Sequence, residues 1–169
     1  MKHRMLFAAI LLMFAFSLSA CRSIEADKES EYISIGALVE SEVNKSNDIR
    51  LTVKDGTLTP TGATFLLTNA STDDAYFGSA FELHKKENDG WHYLLYQEDN
   101  VGWTAIRNIL RAGSTVEIEQ QWETLYGTLS NGNYRFVKKV WFEEKTTIPE
   151  RDLTVQNDQY TLSAEFDIS

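Results

Sequence analysis

The sequence predicts an all-β protein, an antiparallel β-sandwich of about seven to nine short strands. Three observations carry that prediction. The run Trp122 to Phe142, WETLYGTLSNGNYRFVKKVWF, reads as strand end, turn and strand, with turn residues from Gly127 to Gly132 and an aromatic and β-branched run from Tyr134. The last run has a strict period of two: Tyr160, Leu162, Ala164, Phe166 and Ile168 are apolar, and the residues between them are polar. Asn88-Asp89-Gly90 separates two β-rich runs, the strongest local hairpin signal in the chain. No stretch is long and amphipathic enough for a major helix.

In chain order, residues 1–20 read as a secretory signal. Lys2, His3 and Arg4 make a basic start, and Met5 to Phe16 is an unbroken apolar run of 12 residues. A permanent span needs about 20 apolar residues, so cleavage is the expectation. Leu18-Ser19-Ala20-Cys21 resembles the lipobox of bacterial lipoproteins, in which the cysteine becomes the lipidated N-terminus. Cys21 is the only cysteine, with no partner for a disulfide and no second thiolate for a metal. The resemblance implies two acyl chains on Cys21, enough for stable anchoring where one chain holds marginally. It implies a membrane-tethered location on the extracytoplasmic face.

From Cys21 onward 149 residues remain, enough for one domain. They carry 14 basic and 25 acidic side chains, a formal charge of −11. Such a surface is repelled by phosphates, which excludes nucleic acid as a partner; the acidity reads as solubility. Residues 21–47 are polar and weakly patterned, with Glu25, Asp27, Glu29 and Glu31 in succession, and read as a flexible tether. Ile33, Ile35 and Leu38-Val39 add a short strand or helical turn at its end. The sandwich is placed at 48–169.

Ile49, Leu51 and Val53 alternate with Arg50, Thr52 and Lys54 as a first half-buried strand ending at Asp55-Gly56. Ala63 to Thr68 is the second, with Phe65 and Leu67 on one face, and Asn69 to Asp74 is a turn cluster. Tyr76 to Lys86 follows, Phe81 and Leu83 facing one way and Glu82 and His84 the other, then Trp91 to Tyr96 across the hairpin. Trp103 to Leu110 reads as an extended edge piece. Thr115 to Trp122 puts Val116, Ile118 and Trp122 on one face, with Gln120 the only break. Glu143 to Asp158 is a polar loop containing Pro149.

These residues resemble a bacterial immunoglobulin-like domain family of surface proteins, over about Leu51 to Val140. The likeness rests on Gly62-Ala63-Thr64-Phe65 leading to Thr68-Asn69, Tyr76-Phe77-Gly78 before Phe81-Glu82-Leu83, and Gly90-Trp91. It is completed by Trp122, Tyr126-Gly127 and the run Gly132 to Lys138. Ser130-Asn131 stand where the family commonly has prolines. The resemblance implies an immunoglobulin-like sandwich framed by Trp122, Tyr126, Gly127, Gly132 and Tyr134, with Tyr134 as its corner tyrosine, a cell-surface habit and no catalytic motif. A partial similarity to the intracellular proteinase inhibitor family of bacilli gives protease inhibition as the alternative.

The chemistry-bearing residues are few. His84 and His92 lie on opposite arms of the hairpin with Asp89 between them, short of a zinc set, and read as surface histidines. There is no Gly-x-Ser-x-Gly elbow and no P-loop, and the pairs Asp73-Asp74 and Glu143-Glu144 point apart on an extended chain. No enzyme, cofactor or metal is expected. Trp91 and Trp103, near a hairpin and an edge, are the candidate platform for a sugar or peptide, and the expected partner is an envelope protein or glycan.

Overall fold

The computed structural model describes residues 32–33, 43–98, 100–143 and 158–169. The signal segment, Cys21 and the run Glu25 to Glu31 lie outside them. The strands are β1 (Tyr32–Ile33), β2 (Ile49–Val53), β3 (Gly62–Asn69), β4 (Ala75–Phe77), β5 (Glu82–Glu87), β6 (Gly90–Leu94), β7 (Asn108–Leu110), β8 (Thr115–Gln121), β9 (Gly132–Phe142) and β10 (Asp158–Ile168). One helical turn, α1 (Glu123–Tyr126), stands between β8 and β9.

The strands form two antiparallel sheets. The smaller runs β2-β3-β8; in the larger, β9 pairs with β10 on one side and with β4 and β5 on the other. β10 covers β9 from Gly132 to Phe142, so β4 and β5 share the opposite edge end to end. β7 and β6 continue outward from β4 and β5, and β1 closes the β6 edge.

Alternation drives the core. Ala63, Phe65, Leu67 and Asn69 of β3 are buried, with half-buried residues between them. Phe65 stacks on Phe136 of β9 at 3.9 Å, and Phe136 stacks on Phe81 at 5.2 Å. Phe166 of β10 stacks on both Trp122 (5.7 Å) and Tyr134 (5.9 Å). Rings of this size each bury some 150–250 Å², so this aromatic spine holds the sheets together.

Five sequence expectations are corrected. Tyr76 to Lys86 is two strands: Phe77 faces Val140 but Glu82 faces Val137, so residues 78–81 bulge opposite Lys138 and Lys139. Periodicity within one strand carries no information on that register shift. Of Trp103 to Leu110, only Asn108–Leu110 pairs. The hairpin loop is Asn88-Asp89, with Glu87 opposite Gly90, and positive φ falls on Gly90 alone (137°). Asp89 Oδ1 lies 2.7 Å from His92 Nε2, a contact that ties the loop to β6 and lowers the Asp89 pKa.

The fourth correction concerns β10, whose polar face is partly covered. Asn44, at φ 55°, donates from N to Thr161 O (2.8 Å) and from Nδ2 to Ser163 O (3.2 Å), and its Oδ1 accepts from Ser163 N (2.8 Å). Ser163 is buried as a result, and a free edge that would template pairing with another chain is capped. The same contacts, with the Tyr32–Ile33 strand on β6, show that sheet pairing begins inside the span read as a tether.

The fifth is the connection after β8. Trp122 does not extend the strand; it precedes α1, and Tyr126 N donates to Trp122 O at 2.8 Å. Gly127 ends the turn at φ 77°, ψ −169°, a region open essentially to glycine alone. Four residues are too few to leave a helical period in the sequence.

Candidate binding site

Among the described residues, exposed large apolar side chains are concentrated in one stretch. The exposed large hydrophobic residues among those described are Tyr96, Trp103, Ile106 and Ile109, all on the connection from β6 through β7. Trp103 and Tyr96 border a cleft of about 140 Å³, with Ala80, Phe81, Glu82, Val137 and Lys139 as its other walls.

Each wall is placed by the fold. The register sets Glu82 of β5 opposite Val137 of β9, and Lys139 follows two residues on, on the same face. The segment carrying Tyr96 is tied to α1 by Gln97 N donating to Leu125 O (2.8 Å), and its ring packs on Tyr126 at 5.0 Å. The loop carrying Trp103 is tied to the bulge, since Ser79 Oγ donates to Thr104 O at 3.0 Å. Trp103 meets Phe81 edge-on (5.2 Å, 68°) and Tyr96 likewise (6.4 Å, 62°), so the rings make a corner and not a flat platform.

The bulge is itself held from the core side. Lys138 is only 2% exposed, and its Nζ donates to Ala80 O (3.0 Å) and Ser79 O (3.2 Å) while lying 5.7 Å from the Phe77 ring. Burial pushes its pKa down to about 8. Tyr126 donates to Phe81 O at 3.5 Å and accepts from Leu83 N at 3.3 Å, and burial pushes its phenol well above the usual range.

The structure separates the two candidate tryptophans. Trp103 borders the cleft, but Trp91 is 7% exposed, with the Arg135 guanidinium 4.6 Å and the Lys86 ammonium 5.3 Å from its ring. Cations occupy the indole that was expected to serve as a platform. The histidines also differ from expectation: His84 is fully buried and His92 nearly so. Arg135 Nε donates to His84 Nδ1 (3.1 Å), which makes Nδ1 the acceptor and leaves Nε2–H to donate to Glu82 Oε2 (3.1 Å). Cross-strand pairing put them there: His84 faces Arg135 and Tyr93. Among the described residues, no three His, Cys, Asp or Glu side chains converge as a metal site.

The residues expected to frame the sandwich sit as follows. Trp122 is fully buried, and its Nε1 donates to Pro60 O at 2.9 Å. Tyr126 and Gly127 are buried, and Gly132 opens β9. Tyr134 is buried, with its hydroxyl donating to Ser130 O at 2.9 Å. Tyr134→Phe is expected to lower stability by about 0.5–1.5 kcal/mol, one net hydrogen bond. An unchanged urea midpoint would show that this bond contributes nothing.

Tyr96, Phe81, Glu82, Val137 and Lys139 were not expected as site residues. Each is unremarkable in its own segment; the pairing of β5 with β9 brings Glu82 and Val137 together, and the tie of the Tyr96 segment to α1 adds the remaining wall. No helix among the described residues is long and apolar enough to cross a membrane.

No curated protein and no solved structure matches the chain. Bacterial Ig-like domains are in general non-catalytic and typically extracellular or on the surface. The family model described as a bacterial Ig-like domain matches residues 45–167, from just after Asn44 to the penultimate residue of β10, and the chain therefore belongs to the bacterial Ig-like domain family.

Proposed function

We propose that this protein is a lipid-anchored surface module that binds an envelope protein or glycan through the Trp103 cleft, without catalysis. The observation that carries the reading is the gathering of exposed large hydrophobic residues on the β6–β7 connection, beside a cleft, on an otherwise strongly acidic chain. Tyr96 and Trp103 touch and form one exposed aromatic patch at the cleft, and an apolar patch left in water marks an interaction site. Family membership supports a surface module, and the Leu18-Ser19-Ala20-Cys21 signal supports tethering through lipid on Cys21.

Two measurements test the two halves. Cys21→Ser is expected to move the protein from the membrane to the soluble fraction, and unchanged membrane association would overturn the anchor. Pull-down from envelope extracts is expected to enrich a partner with the natural sequence and lose it with Trp103→Ala. Equal capture by both would remove the cleft from the function.

A further inference from the structure

We infer that the Trp103 cleft is a subsite for one acidic pyranose ring of a glycan. The inference rests on the cleft being the binding site and adds the chemistry of the occupant. The walls present an apolar corner with polar groups around it. Trp103, Tyr96 and Phe81 meet at steep angles over Val137 and Ala80. Such a corner receives the C–H face of a ring better than a flexible aliphatic chain, since stacking on an aromatic face needs a rigid partner.

The polar groups are a matched set. Trp103 and Lys139 both line the cleft, and their Nε1–H and ammonium have no hydrogen-bond or ion-pair partner among the described residues. Glu82 uses Oε2 on His84, and its other oxygen remains an acceptor. A ring ligand carrying several hydroxyls supplies donors for Glu82 and acceptors for the indole N–H. A carboxylate on that ring pairs with Lys139. A neutral sugar leaves the ammonium without a partner, and an aliphatic side chain leaves the indole N–H and the ammonium without one and the second Glu82 oxygen unused. A volume of about 140 Å³ holds a single ring, so a longer glycan would extend beyond the cleft.

The test is titration of the full chain with glucuronate, glucose and N-acetylphenylalanine, followed by amide NMR shifts and indole fluorescence. Glucuronate is expected to bind about tenfold more tightly than glucose, with shifts at Trp103, Glu82 and Lys139. Trp103→Ala is expected to abolish binding. Lys139→Met is expected to bring the glucuronate preference to about onefold with the unfolding midpoint unchanged, a loss of selectivity that a folding defect does not produce. Equal binding of glucose and glucuronate by the natural sequence overturns the inference, as does glucuronate binding that survives Trp103→Ala. If N-acetylphenylalanine alone binds at Trp103, the occupant is a peptide end: the inference fails and the cleft stands. If no compound binds and envelope pull-down is also indifferent to Trp103→Ala, both the inference and the cleft fail.

Discussion

Trp122→Ala is expected to lower the unfolding free energy by about 3–5 kcal/mol, the range for emptying a fully buried large aromatic site. A domain of this size is stable by about 5–15 kcal/mol, so the variant loses a large share of its margin. Three contributions disappear together. Stacking on Phe166 and the tilted contact with Phe65 are lost, and the Pro60 carbonyl loses its indole donor. Rigid neighbours keep the site from collapsing: Trp122 N donates to Thr61 O and Leu129 N to Pro60 O, which fix the loop before β3 against the base of the sandwich. Trp122→Phe keeps a ring but removes the donor and part of the indole's volume, and is expected to cost about 1–3 kcal/mol, less than Trp122→Ala. Urea unfolding of both variants reads the difference. A Trp122→Ala loss below about 1.5 kcal/mol would mean that the core closes over the gap.

The second large effect is on pH dependence and comes from Lys138. Its ammonium lies on the core face of β9 between Phe136 and Val140, with two carbonyls as acceptors and no carboxylate partner among the described residues. The folded protein releases this proton near pH 8, against 10.5 for an ordinary lysine. Between those values the unfolded chain binds more protons than the folded one, so stability rises with pH. Tyr126 acts in the opposite direction above about pH 10, because its raised pKa keeps it protonated in the fold while the unfolded phenol ionises.

The net expectation is a rise in stability from pH 8 to about pH 10, at up to about 1.4 kcal/mol per unit and so about 2–3 kcal/mol in all. Lys138→Met should remove the rise and stabilise the protein at pH 7 by up to a similar amount. Ala80 is exposed and Ser79 half-buried, so water replaces the lost donor at their carbonyls. Urea midpoints at pH 7, 8, 9 and 10 measure both effects. Parallel curves for the two proteins would show that the ammonium is solvated in the fold.

The contrast between Lys138 and Lys139 shows where the sequence stops being informative. Both stand in one polar pair within an apolar run, yet Lys138 points into the core and Lys139 into the cleft. Alternation predicts that neighbours face opposite ways, but it does not say which face is wet. His84 and Trp91 make the same point. Each looks like a surface feature in its own strand, and each is buried because β9 brings Arg135 between them.

The fold class, a hairpin between β5 and β6, the alternation of β3 and β10, and the family are legible in the sequence. Those properties are local: period two, turn chemistry and aromatic content act over a few residues and survive whatever the strands pair with. The bulge between β4 and β5, the capping of β10 by Asn44, the burial of His84 and His92 and the composition of the cleft come from strand pairing and packing. Each depends on register between strands distant in the chain, with Glu82 opposite Val137 as the deciding pair. Register is set by the summed burial of two faces and not by either strand alone.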